Sequence, residues 1–482
     1  MGTVTPRSYN PPPKMTAVSA PSQTLDRPAG ESRPRGLARL TPTGRARVPA
    51  GWALYDFANT IFSYAVVSYA MGLWLTDDSR FGEAAGQLAL TIGILVSVGV
   101  NAIVSPILGM LSDRAGGRRL PYLLFFTLLC IVPTAVIGPS PPVVGLALFA
   151  VANFAYQAAL IYYDATLKTV SYPETRGKLS GIGVAIGYGG TIFIGLLIFL
   201  LDLPIESVFF VAALLYGLFA IPLFLVVREP QPPAGTPRPG LRDAIASLTQ
   251  VWTTIQHART VPGLGRFLVG RFFYSDAVNT IIVVMSIVAT RAMGLSATVA
   301  NLILLTLAIV AVVASFAWGA LADRLGPKRT LMIVLTSWAI GLVIGGISLG
   351  IGSTTVGLGL FLLAGAILGS GLGGVQVADR VLMLRLSPPA RVGEFFGLYG
   401  LVGKGSQVVG QLLFGLIVYL FFDSLGVGAY QLAVLSLLIT MLIGAWLVSA
   451  VSDRWSGSGE VPEELHAVPE RLAPSAAPLE PR

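Results

Sequence analysis

Cysteine, histidine and charge are scarce in this 482-residue chain, and each shortage removes a class of function. The one cysteine, Cys130, stands in an apolar run, so no intramolecular disulfide and no thiolate metal site can be assembled. His257 and His466 fall in polar segments, which leaves no material for an intramembrane His relay or a His metal cluster. No Ser/His, His-Glu-x-x-His or paired intramembrane Asp arrangement stands at catalytic spacing, and no Walker-type phosphate loop is present. The expectation is therefore a protein that is not an enzyme, is not driven by ATP and needs no cofactor or metal. Asp, Glu, Lys and Arg make up 12% of the residues, where a soluble domain carries about 25%. Residues 1–48 are polar and rich in Pro and Arg, with no apolar core of signal-peptide length, so the first apolar run is read as a retained helix.

What the chain has in quantity is apolar surface. AVILMFWYC residues account for 54% and the mean hydropathy is +0.75. A spanning helix takes roughly 20 residues, and the apolar total supplies about a dozen. Runs of that length lie at about 51–75, 87–111, 120–138, 143–166, 180–201 and 205–227, then at about 267–290, 297–321, 330–350, 355–378, 396–421 and 427–450. In lipid the backbone must satisfy its own hydrogen bonds, which makes these runs helices. The predicted fold class is an all-α polytopic membrane protein with twelve transmembrane helices in two pseudo-symmetric six-helix bundles.

The net charge of +8 and the pI near 9.6 are explained by where the charge sits. Of 32 Lys and Arg, 28 fall in the two tails, in the central loop and after spans 2, 4, 8 and 10. Arg80 and Arg291 lie on the other side, and Arg271 and Lys404 lie within spans. The positive-inside rule predicts that both termini and the central loop are cytoplasmic. The basic balance is thus a topology signal, and no nucleic-acid partner is expected. Five units follow: a disordered cytoplasmic tail at 1–48, a six-helix bundle at 49–227, a linker at 228–265, a second bundle at 266–451 and a disordered tail at 452–482. In the linker, Leu241, Ile245, Leu248, Trp252 and Ile255 follow 4-3-4-3 spacing, the stripe of an amphipathic helix lying on the membrane surface.

The two halves repeat each other. Asp56-Phe-Ala-Asn59-Thr60-Ile61 recurs as Asp276-Ala-Val-Asn279-Thr280-Ile281. Gly109-Met-Leu-Ser-Asp113-Arg114-Ala-Gly116-Gly-Arg118-Arg119 recurs as Gly319-Ala-Leu-Ala-Asp323-Arg324-Leu-Gly326-Pro-Lys328-Arg329. Pro173-Glu-Thr-Arg176-Gly177 has its counterpart in Pro389-Ala-Arg391-Val-Gly393. A six-helix unit used twice, with the substrate site between the copies, is how many secondary transporters are built.

The Gly-x-Leu-x-Asp-Arg-x-Gly-x-Arg/Lys-Arg pattern, present in both halves, resembles the signature of the major facilitator superfamily. A narrower resemblance is carried by Trp52-Ala-Leu-Tyr-Asp56-Phe-Ala-Asn59, by Arg176-Gly-Lys-Leu-Ser-Gly-Ile-Gly183, by Tyr274-Ser-Asp276-Ala-Val-Asn-Thr280 and by Glu394-Phe-Phe-Gly-Leu-Tyr399. These are similar to motifs of the autophagy-related vacuolar effluxer group over residues 51–450. One departure is Gln376-Val-Ala-Asp379-Arg380-Val, where the group often reads Gln-Ala-Leu-Ser-Arg-Ser. The resemblance implies the major facilitator fold, alternating access, and a latch formed by the Gly-x-Leu-x-Asp-Arg clusters. Amino-acid efflux is implied by kinship alone.

Physics assigns parts to the latch candidates Gly109, Asp113, Arg114, Gly116, Arg118, Gly319, Asp323, Arg324, Gly326, Lys328, Asp164 and Arg176. Gly109 and Gly319 allow close helix approach. Asp113 and Asp323 can accept bonds from a helix N-terminus in the opposite half, and the arginines can pair with Asp164 or Asp379. For solute and proton binding, a charge inside the bilayer is a functional candidate by default. Asp56, Arg271, Asp276 and Lys404 qualify. Helical spacing sets Asn59, Thr60 and Ser63 beside Asp56, and Asn279 and Thr280 beside Asp276, with Arg271 or Lys404 as possible ion-pair partners of Asp276. Asn153, Tyr156, Gln157, Gln376 and Gln407 add polar groups within spans. Both carboxylates and an ammonium suit a small zwitterion. The function expected is a secondary active or facilitative transporter of a small polar solute, with the bilayer, the solute and protons as partners and a monomer as the working unit. The alternatives are a multidrug or sugar carrier of the same fold and a non-transporting sensor or scaffold. Arg outnumbers Lys 27 to 5, as in a GC-rich bacterial genome, which points to the plasma membrane.

Overall fold

The computed structural model describes residues 36–229 and 251–451, and the described residues form helices and turns with no strand. The first pass is composite: α1 (Arg47–Phe62), π-helical turns at Ser63–Ala70, then α2 (Met71–Thr76). The first half continues with α3 (Glu83–Arg114), α4 (Leu120–Ala135), α5 (Pro142–Val170), α6 (Arg176–Leu200) and α7 (Ile205–Val226). A short α8 (Val251–Thr260) leads into α9 (Leu264–Ile287), which ends in π-helical turns at Val288–Ala292. The second half is completed by α10 (Ala297–Leu325), α11 (Pro327–Ile351), α12 (Thr355–Leu386), α13 (Val392–Leu425) and α14 (Gly428–Ser449).

Nine of the described helices are long and apolar enough to cross a membrane. The other passes are the composite α1–α2, the 16-residue α4, and α9 with its Arg266, Arg271 and Asp276. Their breaks carry ordinary turn chemistry. Gly116 and Gly117 take φ of 71° and 77° just past α3, a backbone state that a side chain disfavours. Gly326 (φ 89°) joins α10 to α11, whose Pro327 occupies a first helical position that needs no N–H partner.

Several helices outrun the apolar runs that announce them. The tenth run stops at 378, but α12 continues to Leu386 and takes Asp379, Arg380 and Arg385 into a packed helix. Hydropathy ends a span at the first charge, whereas a helix ends where its backbone turns. Residues 36–48 also depart from the expected disordered tail. Gly36–Leu40 forms a 3-10 turn, Thr41 is buried, and the Leu40 carbonyl accepts bonds from Tyr172 N (3.4 Å) and Thr175 Oγ1 (2.8 Å). Leu241, Ile245, Leu248 and the Trp252 side chain lie outside the described residues, as do residues 1–35 and 452–482.

Within the first half, α1 packs on α6 and α7, α4 on α5 and α7, and α3 on α5. In the second half α9 packs on α13 and α14, and α12 on α10 and α11. The halves meet chiefly along α3–α13 and α6–α10. An aromatic core anchors α1: Trp52 and Tyr55 stack on Tyr163 with centroids 4.7 and 5.0 Å apart. Their polar atoms are used, Trp52 Nε1 donating to Thr166 Oγ1 (3.1 Å) and Tyr55 Oη pairing with Thr127 Oγ1 (2.7 Å). The outer face is the inverse of a soluble surface, with Phe199 and Trp446 among many large apolar side chains left exposed. Lipid is the solvent such a face requires.

Candidate functional site: a charged cavity above an interlocked end

Loops rich in Lys and Arg follow α3, α5, α10 and α12, and this end of the molecule is called the basic end below. Two reciprocal contacts join the halves there. Asp113, at the end of α3, accepts the backbone N–H of Gly393 (2.9 Å) and Glu394 (2.8 Å) at the start of α13. Asp323, at the end of α10, accepts Gly177 N–H (2.7 Å) and Lys178 N–H (3.0 Å) at the start of α6. Each carboxylate meets a helix N-terminus whose first N–H groups have no intrahelical partner. Glycine permits the approach. A Cβ on Gly109 would collide with the Gly393 carbonyl, and one on Gly319 would come within 2.7 Å of the Gly177 carbonyl. Lys168 Nζ adds a bond to the Pro389 carbonyl across the same seam (3.1 Å).

The arginines of the motif are placed otherwise than expected. Arg114, Arg118 and Arg324 are exposed, and Lys328 and Arg176 are half-buried. The basic residue beside Asp113 is Arg119, 3.4 Å away and buried. Arg119 also opens α4, and its backbone N–H with that of Leu120 is held by Glu229 (2.7 and 3.1 Å), a long-range cap. Burial pushes the Glu229 carboxyl above its ordinary range despite those two donors. Gly116 and Gly326 serve as turn residues. Asp164 and Asp379 line the cavity, where Arg380 and Arg271 are their ion-pair partners.

That cavity, about 530 Å³, lies between the halves and is lined by α1, α5, α6, α9, α12 and α13. It holds three acids (Asp56, Asp164, Asp379) and three bases (Arg271, Arg380, Lys404). Arg380 of α12 reaches across to the first half, with Nε 3.0 Å from Asp164 and Nη1 3.9 Å from Asp56. Arg271 pairs with Asp379 and lies over the Tyr399 ring at 3.5 Å. Tyr399 Oη donates to the other Asp379 oxygen (2.9 Å). Lys404 takes no carboxylate partner within ion-pair distance among the described residues; its ammonium donates to Asn101 Oδ1 of α3. The charges therefore balance over the cavity but not locally. Two carboxylates share one guanidinium on one wall, and an ammonium held by an amide stands on another.

Nine of the twelve binding candidates line this cavity: Asp56, Asn59, Thr60, Tyr156, Gln157, Gln376, Asn279, Lys404 and Gln407. Thr60 donates to the Gly187 carbonyl (2.5 Å), Asn59 Oδ1 accepts from Tyr216 (3.3 Å), and Asn279 donates to the Gly403 carbonyl (3.4 Å). Gln376 donates across the halves to Tyr188 Oη (2.9 Å). Three candidates lie elsewhere. Asn153 bonds Ser97 Oγ of α3 (2.7 Å), a bond inside the first half. Asp276 and Thr280 are buried against Gly410 of α13. Asp276 meets neither Arg271 nor Lys404, since the first turns to Asp379 and the second to Asn101. Helical spacing fixes which residues share a face but not which neighbour that face meets. Sequence reasoning passed over Asn101, Tyr188 and Arg380 as site residues, and it gave Asp164 and Asp379 to the motif arginines and not to this cavity. Arg380 had a usable signal, since its position is that of Asp164 plus the 216 that relates the loops at Pro173 and Pro389.

The family described as "Vacuole effluxer Atg22 like" matches residues 89–454. An uncharacterized MFS-type transporter of Bacillus subtilis, YxiO, is 28% identical over 424 residues, covering 84% of this chain and 95% of its own. Autophagy-related protein 22 of Kluyveromyces lactis is 25% identical over 383 residues, covering 72% and 75%. Among solved structures, the proton:xylose symporter XylE superposes with a TM-score of 0.65 at 14% identity, over 87% of this chain and 97% of that one. The human organic anion transporter MFSD10 also gives 0.65, at 16% identity over 83% and 99%. Those two likenesses establish the fold. The chain is a multi-pass membrane transporter of the major facilitator type and belongs to the Atg22-like vacuole effluxer family.

Proposed function

We propose that the protein carries a small zwitterionic solute, of the size and charge of an amino acid, through the cavity between its halves by alternating access. The observation that carries this reading is the separation of charge within one cavity. Asp56 and Asp164 together exceed the single charge of Arg380, which leaves that wall able to take an ammonium. Lys404 is held only by a neutral amide oxygen, which a solute carboxylate replaces with a stronger, charge-assisted bond. A neutral sugar has no use for this arrangement, and a bulky apolar drug leaves six charges unsolvated.

In this reading the Asp113 and Asp323 contacts are the latch. They hold the basic end closed while the cavity is reached from the opposite end, and the cross-half bonds of Arg380 and Lys404 sit just above them. With the basic end cytoplasmic, as the positive-inside rule predicts, this is the outward-facing arrangement. Alternating access requires the latch to open as the two bundles rock. Asp56 is the residue assigned to proton coupling, because its partner is shared and the solute ammonium competes for the same oxygens. We place the protein in the plasma membrane as a monomer.

A counterflow screen on reconstituted protein, with amino acids, sugars and peptides as the trapped solutes, tests the reading. Exchange of amino acids with loss in Lys404→Gln supports it. Exchange confined to sugars overturns the solute class, and binding without any exchange overturns transport in favour of a sensor. Unchanged pH dependence in Asp56→Asn removes the proton role.

A further inference from the structure

The start of α6 is open to the opposite half because its own capping residue is turned away. Thr175 precedes Arg176, the first helical residue, at the position whose side-chain oxygen ordinarily accepts the N–H of the second or third helical residue. Those residues are Gly177 and Lys178, and their N–H groups go instead to Asp323 of α10 (2.7 and 3.0 Å). Thr175 makes no cap bond, and its ψ of 3° departs from the extended backbone of a capping residue. Its hydroxyl is directed at the Leu40 carbonyl (2.8 Å) and, at longer range, at the Tyr172 carbonyl (3.3 Å).

Leu40 ends the 3-10 turn that packs on α1 and α6 ahead of the first pass. Its carbonyl takes two donors of the α5–α6 loop, the Tyr172 N–H (3.4 Å) and the Thr175 hydroxyl, and so pins both ends of the Tyr172–Thr175 turn. Leu40 and Thr41 are buried, while Leu37, Arg39, Thr43 and Arg45 around them are exposed. The segment is anchored where it meets the loop.

The second half is built differently at both points. By the offset of 216, Thr175 corresponds to Arg391 and Tyr172 to Pro388. Arg391 occupies the capping position of α13, but a guanidinium carries no acceptor, and Pro388 has no N–H to give a carbonyl. The side chain at that position therefore cannot compete with Asp113 for the N–H groups of Gly393 and Glu394. A residue able to cap the gripped helix, and a segment that occupies it, occur together in the first half.

We infer that residues 36–46 are a strap that keeps the basic end shut by withholding Thr175 from α6. With the strap seated, the N–H groups of Gly177 and Lys178 are left to Asp323. With the strap lifted, the Tyr172–Thr175 turn is released, Thr175 takes an extended ψ, and its oxygen accepts one of those N–H groups in place of Asp323. The inference rests on the latch reading of Asp323 and is independent of the solute.

The test uses the full chain purified in detergent, with spin labels on the exposed positions Arg118→Cys and Arg329→Cys, one in each half, read by double electron–electron resonance. Thr41→Arg places a charge at a fully buried position and lifts the strap, which faster tryptic cleavage at Arg39 and Arg45 verifies. The longer-distance population should rise about fivefold, the worth of one helix cap. Thr175→Val keeps the shape and removes the capping oxygen; alone it should leave the distances unchanged, and in the Thr41→Arg, Thr175→Val double variant the rise should vanish. Thr175→Asn, a stronger cap with no added charge, should open the basic end with Thr41 intact, which keeps the test open if Thr41→Arg does not fold. A merely structural role for the Leu40–Thr175 bond predicts the reverse order, since Val loses that bond outright and Asn retains an N–H for it. No opening in Thr41→Arg with the strap cleaved, an equal rise in that variant and the double variant, or no opening in Thr175→Asn overturns the proposal. Asp323→Asn is run alongside: if it leaves the distances unchanged, the latch reading fails and the strap with it, and if it opens the basic end while the threonine variants depart from these results, the strap alone falls.

Discussion

Neutralising Asp113 isolates the contribution of one latch contact. The carboxylate accepts two backbone N–H groups of α13, at 2.9 and 2.8 Å, and is flanked by Arg119 at 3.4 Å. Asn at this position keeps one acceptor but turns an NH2 group toward either Gly393 or Glu394, so one of the two bonds is lost and the other loses its charge. Hydrogen bonds to a charged group contribute about 1.5–3 kcal/mol each. The expected loss is therefore about 2–3 kcal/mol from the closed basic end, roughly a 30- to 150-fold shift toward opening. Asp323→Asn should act alike through α6, and the two should add because their contacts share no partner. Spin labels on Arg118→Cys and Arg329→Cys, one in each half, report the separation by double electron–electron resonance; Cys130 is buried and stays unlabelled. A longer-distance population should appear in each single variant and grow in the double. An unchanged distance distribution in the double variant, which lacks the stabilisation of both contacts, would refute the latch assignment.

Other consequences can be checked directly. Gly319→Val places a side chain against the Gly177 carbonyl (2.7 Å) and Gly181 Cα (3.1 Å), so it should destabilise by about 1–3 kcal/mol and abolish exchange. Gly345→Ala, with only the Ala364 methyl at 3.7 Å, should be neutral in the same thermal and flux assays. Arg380→Gln leaves Asp56 and Asp164 as unpaired buried acids, and a loss of about 3–5 kcal/mol is expected. Adding Asp164→Asn should restore part of that stability, measured as detergent-extracted folded protein. Trp52→Phe keeps the stacking on Tyr163 but removes the bond to Thr166, and should lower stability by about 1 kcal/mol in thermal unfolding.

The contacts of Asp113 and Asp323 were legible because their parts are contiguous in sequence and repeated: a carboxylate four residues past a glycine, and in the opposite half a helix start that reads Pro173-Glu-Thr-Arg176-Gly177 or Pro389-Ala-Arg391-Val-Gly393. The cavity was legible on α1 and α13, where charges interrupt long apolar runs. It was hidden on α5 and α12. Asp164, Asp379 and Arg380 stand near the ends of their runs, where hydropathy reads them as loop charges, and only tertiary pairing draws them inward. Asn101 was hidden for another reason, since nothing local to α3 reveals that an amide 303 residues away from Lys404 is its partner. Likewise, the repeat equates Asp56 with Asp276, but their environments diverge because a guanidinium stands at one counterpart position and a carboxylate at the other.

The glycine-to-glycine seams at Gly109–Gly393 and Gly177–Gly319 have a mechanical consequence. Helices joined by interdigitated side chains must unmesh those chains, rotamer by rotamer, before they can separate. Here backbone lies on backbone at the tightest points, and little there has to be unmeshed. The seam behaves as a smooth bearing held shut by a few hydrogen bonds. In the latch proposed above, release of those bonds and not repacking of a core sets the barrier to parting, and one charge at each seam tunes the rocking of the halves.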